Sequence, residues 1–270
     1  MNSDDVSEEQ QNVQQSDEPE SKGSIEGDQG YVFFEKRLSV IDNENTAKDP
    51  IYFEKRPYKE IYHKKCLTNA MKCINRDPFV GLLLKALKSK GCEFIPERHL
   101  SCEPCSSVIS GGFDVNSRQV AICENNSDNY ALACGVLRHE LLHAFDYCRA
   151  KVDFVKNLRH LACSEIRAAQ FIHCHYLLST LSGIISPFEV KNANYKCVKE
   201  KAAFSLLSVR NVDEIQAFKA VDEVFDVCYR DFEPFGRRIK FRTFENDSKR
   251  AYFEARYFGY YNGDQIETDF

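Results

Sequence analysis

Twelve cysteines in 270 residues constrain this chain more than any other feature. In a reducing compartment such a number serves as metal ligands or scattered buried thiols, whereas oxidation turns it into a covalent frame. Only Cys102 and Cys105 form a CxxC, so a four-thiolate zinc site lacks its second half. Cys163 and Cys174, and again Cys197 and Cys228, flank segments of helical character. That arrangement suits disulfides pinning helical hairpins, although spacing alone does not give the pairing. The N-terminus has neither the apolar core of a secretory signal nor the Arg-rich, acid-poor character of a transit peptide. No apolar run approaches the length of a bilayer span. Oxidised cysteines without a secretory signal point to the mitochondrial intermembrane space, which oxidises cysteine-rich proteins imported without such presequences.

Charge divides the chain unevenly. Residues 1–30 carry nine acids against the single base Lys22 and offer almost nothing to bury, so they read as a disordered acidic tail. Against a total of −5, the remainder is mildly basic, and no nucleic-acid partner is expected. Residues 57–236 read as one folded domain and 237–270 as an aromatic and basic C-terminal segment. In the latter, Arg237, Arg238, Lys240, Arg242, Lys249, Arg250 and Arg256 alternate with Phe and Tyr. Such a pattern suits single-stranded nucleic acid or an anionic membrane surface, but aromatics packed on the domain are the simpler reading.

Residues 57–90 look helical with a break at Pro78, and Lys88, Lys90 and Gly91 mark the end. A β-hairpin is expected from Phe113–Val115, a polar turn at Asn116–Arg118 and β-prone Gln119–Cys123. A helix runs from about Asp128 through Cys148, with further helices near 156–181, 194–208 and 213–229. The expected fold class is α+β, a mostly helical zincin-like core with a small hairpin or sheet, cross-linked by disulfides.

Chemistry concentrates in "RHELLHAFD", Arg138–Asp146. His139 and His143 lie one helical turn apart on one face and can hold a single metal ion, with Glu140 placed to take a proton from a bound water. Two structural histidines on a helix are the plainer alternative. A catalytic zinc takes three protein ligands and keeps one open position; Asp146, His160 and Glu165 are the candidates for the third. At about 100° per residue, Leu158, Leu161, Ala162, Ala169 and Ile172 fall within roughly 60° of Glu165, whereas His160 falls near 140° away with Lys156 and Arg167. Glu165 is thus a carboxylate centred on an apolar stripe, costly to bury unless paired or metal-bound. It is the preferred third ligand, with a salt bridge to Arg138, Arg159 or Arg167 as the alternative. Asp146, two turns from His139, is preferred as an acceptor orienting an imidazole N–H. The strand Gln119–Cys123, just before this helix, offers an edge along which a peptide could add as a strand, or serves structure alone.

The segments "SGGFD", "HELLHAFDYCR", "NLRHLACSEIRAA" and "AVDEVF…C…EPFG" together resemble the Atp-twenty-three family of mitochondrial inner membrane proteases, over about Phe79 to Gly236. The resemblance implies metal-binding histidines at His139 and His143 and a catalytic glutamate at Glu140. It implies a zinc (Zn2+) endopeptidase resident in the intermembrane space and peripheral to the inner membrane. Its substrate would be the precursor of ATP synthase membrane subunit 6, whose assembly such proteins also assist without proteolysis. The segment "FIHCHYLLST" departs from the family pattern, and Cys66, Cys73 and Cys134 are additional to the usual cysteines. Two other readings stay open. One is a nuclear metallopeptidase acting on DNA-associated proteins, since relatives are described as binding the Ku DNA-repair protein. The other is a mainly non-proteolytic assembly factor.

Overall fold

The computed structural model describes residues 56–105, 109–174, 190–239 and 244–260. The acidic tail 1–30, the end of the helix expected to reach 181, and the last ten residues lie outside them.

Asp77 and Pro78 decide where the first two helices part. Helix α1 (Arg56–Arg76) stops before Asp77, whose side chain accepts the Val80 N–H at 3.0 Å and caps α2 (Pro78–Ser89). Proline at the first position of α2 gives up only a donor that would have had no helical partner. Lys90 closes α2, and Gly91 follows in the left-handed region at φ +83°, the conformation for which glycine is suited. The buried face of α2, Phe79, Val80, Leu82, Leu83, Ala86 and Leu87, packs on the site helix.

After a single turn, α3 (Pro96–His99), three strands form a small sheet: β1 (Leu100–Glu103), β2 (Gly111–Asp114) and β3 (Gln119–Cys123). The hairpin expected between β2 and β3 is present, with Phe113 opposite Val120. Its turn is held by the Asp114 carboxylate, which accepts the Asn116 N–H at 2.9 Å and the Ser117 hydroxyl at 2.6 Å. β1 pairs parallel to β3 on the other side, Leu100 opposite Val120, so the order is β1-β3-β2. This corrects one expectation: Gln119–Cys123 is the central strand, paired on both sides, and cannot be a free edge. The edge nearer the site is β2.

Helix α4 (Tyr130–Arg149) crosses the sheet, capped by Asn129, and buries Leu137, Leu141 and Phe145 together with Glu140, His143 and Asp146. Helix α5 (Leu158–Ala168) continues into a single π-turn, Ala169–His173. It packs with α6 (Val190–Val209) and α7 (Glu214–Tyr229) on the far side of α4. A final helix, α8 (Phe244–Glu254), is one the sequence pattern does not announce. Phe244 stacks on Phe79 at 5.5 Å and lies under the Arg138 guanidinium, while Lys85 covers Tyr252. Arg237 and Arg250 pair with Glu254, and Lys249 with Glu245. These C-terminal rings and cations are therefore engaged in packing and ion pairs.

All twelve cysteines pair: Cys66–Cys102, Cys73–Cys134, Cys92–Cys148, Cys105–Cys123, Cys163–Cys228 and Cys174–Cys197. The CxxC cysteines thus bond to different partners, and no knuckle exists. The last two bridges join α5 to α7 and the end of the π-turn to α6. They are the cross-helix staples that the flanking positions suggest. Closing loops of 18 to 65 residues, each bridge contributes on the order of 3–4.5 kcal/mol by restricting the unfolded chain.

Glu124, just past β3, is buried with His63 Nδ1 of α1 at 2.8 Å, and burial pushes its carboxyl up to about 7. The folded state therefore binds this proton more tightly than the unfolded chain. The resulting stability is complete below pH 4.5 and is lost as pH rises through about 7. Glu124→Gln, neutral and isosteric, is expected to raise the thermal midpoint over wild type at pH 8 and to leave it unchanged near pH 4.5. A variant no more stable than wild type at pH 8 would contradict the assignment.

Candidate active site

The helical turn between His139 and His143 brings their Nε2 atoms to 2.9 Å, the rings meeting edge to face. Glu165, one turn before the end of α5, points its carboxylate between them, 3.6 Å from His139 Nε2 and 3.4 Å from His143 Nε2. These three groups form a cluster that could hold a metal ion. Arg138, Arg159 and Arg167, the alternative partners for Glu165, are directed elsewhere: to Asp77, to Glu223 and to Asp146 with Asp231. Among the described residues no Lys or Arg pairs with Glu165; Ser205 of α6 donates to it. Burial pushes its carboxyl up, against the opposing pull of His143 and Ser205, and burial pushes His139 well down, helped by His143 and His173. Three groups whose lone pairs converge, with no protein cation among them, are a donor set that a divalent metal fits.

Each imidazole is held from behind. His143 Nδ1 lies 2.7 Å from the Ser164 hydroxyl, which donates to Asp146 Oδ2 at 2.9 Å. With the Ser164 proton committed to Asp146, its oxygen accepts from His143 Nδ1–H and leaves Nε2 with a bare lone pair. Asp146 is thus linked to His143 through Ser164 and not by the direct contact that its face suggests. Arg149 Nε at 2.9 Å and Arg167 Nε at 3.0 Å fix the same carboxylate. On the other ring, His139 Nδ1 lies 2.9 Å from His173 Nε2. His160 stands apart from the cluster; its Nδ1 accepts the Asp153 N–H at 3.0 Å ahead of α5.

Glu140 occupies the adjoining face of α4, toward β2. Burial pushes its carboxyl well above the usual range, the Glu165 charge adds to this, and the Phe113 backbone N–H donates to it and opposes both. The Cys123 N–H bonds to the Ser110 carbonyl at 2.9 Å, so alternate residues of β2 turn toward β3. Gly111 and Phe113 consequently direct their backbone groups away from β3, and Phe113 meets Glu140 there.

A second group of potential ligands, Cys73, Asp77 and Cys134, is closed to metal because the two sulfurs are bonded to each other. The sequence pattern did not reveal Ser164, Ser205, the Phe113 N–H or His173. Ser164 adjoins Glu165 in "CSEIR" and was the most accessible of the four; the others depend on contacts across elements.

A model of the Peptidase M76 family matches residues 64–236, which span every group named above. The chain is 44% identical over 192 residues to a human protein named mitochondrial inner membrane protease ATP23 homolog, covering 68% of this chain and 77% of that one. It is 38% identical over 235 residues to the Xenopus laevis homolog of that name, covering 84% and 96%. Similarity extends to Schizosaccharomyces pombe, where mitochondrial inner membrane protease atp23 is 33% identical over 174 residues, 64% of this chain and 91% of that one. No solved structure matches.

The contact of β2 with α4 leaves no room at Gly111. A Cβ there would lie 2.3 Å from Val136 Cγ1 and 2.8 Å from the Ala121 carbonyl, neither of which is free to swing away. Gly111→Ala is expected to destabilise the fold by about 1–3 kcal/mol, the range for overpacking a close contact. Denaturant unfolding checks this, and a neutral substitution would mean that β2 does not sit against the site helix.

Proposed function

The chain belongs to the peptidase M76 family, and on that premise we propose that it is a zinc metalloendopeptidase of the mitochondrial intermembrane space, peripheral to the inner membrane. Its proposed substrate is the precursor of ATP synthase membrane subunit 6, whose assembly it also assists. The observation that carries the reading is the convergence of His139 Nε2, His143 Nε2 and the Glu165 carboxylate beside Glu140.

His139, His143 and Glu165 would hold the ion, and two nitrogens with one carboxylate suit zinc. When bound, zinc polarises the scissile carbonyl and brings the pKa of its water down to roughly 7. Glu140 accepts a proton from the attacking water and passes it to the leaving amine. A carboxyl pushed up by burial is suited to both halves of that exchange, since it holds the proton between them. The Phe113 N–H fixes the direction from which Glu140 works. Gly111, whose backbone groups turn outward on the same strand, would receive the substrate as an added strand antiparallel or parallel to β2. The substrate's backbone would then lie beside Glu140.

Location and partner are supported in other ways. Relatives from human to fission yeast bear the name mitochondrial inner membrane protease. No helix of the described residues is long and apolar enough to cross a membrane, which suits attachment at the surface. Six disulfides with no free cysteine favour an oxidising compartment over the nucleus. The subunit 6 precursor and the assembly role rest on the family resemblance of the motifs.

Purified Glu140→Gln protein is expected to keep its zinc and lose at least about 10²-fold in cleavage of a precursor peptide, the usual contribution of a general base. Glu165→Gln is expected to lose the zinc itself, whereas His160→Ala keeps it. Metal analysis beside the cleavage assay separates the two effects. Wild-type cleavage by Glu140→Gln, or a full complement of zinc in Glu165→Gln, would contradict the scheme.

A further inference from the structure

A helical wheel places Ile172 on the Glu165 stripe, seven residues and two turns further along α5. The structure puts His173 there. Ala169–His173 is a π-turn, closed by Cys174 N–H to the Ala169 carbonyl at 2.7 Å, five residues back. One π-turn inserts one residue, so residue 173 takes the angular position that 172 has in an uninterrupted α-helix. The insertion carries an imidazole, in place of an isoleucine, to 2.9 Å from His139 Nδ1.

The backbone behind His173 is fixed on two other helices. Cys174 is bonded to Cys197 of α6, and its carbonyl accepts from Asn194 Nδ2 at 2.7 Å. Asn194 Oδ1 in turn accepts the Tyr229 hydroxyl of α7 at 2.5 Å. A side chain exposed to solvent is thus mounted on a buried, covalently braced turn.

Two ring nitrogens 2.9 Å apart require one donor and one acceptor. If His173 Nε2 carries the hydrogen, His139 holds its own on Nε2 and directs N–H at His143, with no lone pair left for a metal. If His173 Nε2 accepts, His139 holds its hydrogen on Nδ1 and presents a bare Nε2, as Ser164 and Asp146 make His143 do; two bare Nε2 atoms 2.9 Å apart then need the cation that the zinc-binding reading places between them. We propose that His173 is a positioning residue for His139: by accepting its Nδ1–H it fixes both ring orientation and the metal-binding tautomer. The inference rests on the proposed zinc-binding reading. Carboxylates and backbone carbonyls commonly serve this purpose behind metal-bound histidines; here an imidazole does so, and a carboxylate is therefore its chemical equivalent.

The test is zinc affinity by competition with a chromophoric chelator, with thermal unfolding of the metal-free proteins alongside. His173→Ala is expected to bind zinc about 10- to 100-fold more weakly, as for other partners behind metal ligands, at an unchanged metal-free unfolding midpoint. His173→Glu, which can only accept, is expected to recover most of that affinity. Unaltered affinity in His173→Ala, or equal losses in both variants while wild type binds tightly, would overturn the role of His173 and leave the zinc reading standing. A wild-type protein that binds no zinc would overturn both.

Discussion

One buried carboxylate, Asp146, joins the fold to the chemistry. It takes Ser164, Arg149 and Arg167 at once, and through Ser164 it sets the His143 ring. Arg167 is fully buried, and a guanidinium in that position is tolerable only when its donors are met. They are met by Asp146, by the Asp231 carboxylate at 2.6 Å, and by the carbonyls of Asp231 and Glu233. Arg149 reaches Asp146, Asp231 and Glu233 from α4. Loss of one partner in such a cluster leaves a buried charge uncompensated, typically at 3–5 kcal/mol. Helices α4 and α5 and the segment after α7 are therefore held in one relative placement. That placement lets Glu165 face two histidines on a different helix.

The disulfides secure the periphery of this arrangement. Cys73–Cys134 and Cys92–Cys148 tie the two ends of α4 to α1 and to the loop after α2, and Cys163–Cys228 binds α5 to α7. The site thus sits on rigid elements, with β2 closing the Glu140 side and α6 supplying Ser205 from behind Glu165. Little of the candidate cluster depends on loops.

Helical periodicity made much of this legible in the sequence. The face shared by His139, His143 and Asp146 follows from a repeat of 3.6 residues, and Glu165 stood out because a carboxylate interrupted an apolar stripe. The β2–β3 hairpin was marked by its turn residues. What stayed hidden depends on contacts between distant segments. Nothing near Gln119–Cys123 announces that Leu100–Glu103 will pair with it and make it central. Arg167 looked like an outward cation beside His160, because its partners Asp231 and Glu233 lie more than sixty residues on. His173 was masked by the π-turn, since a uniform 100° step assigns its place to Ile172. Likewise α8 has short, mixed periodicity, and its Phe244 ring finds its place on Phe79 and Arg138 and its Tyr252 ring under Lys85.

The central claim is that two imidazoles and one carboxylate, each oriented from behind, hold a single zinc ion. X-ray absorption at the zinc edge, on protein purified with its disulfides intact, tests it most directly. The expected result is one zinc per chain with two imidazole nitrogens, oxygen ligands completing the set, and no sulfur. Sulfur in the coordination sphere, or a disulfide-intact protein with no zinc, would contradict the account.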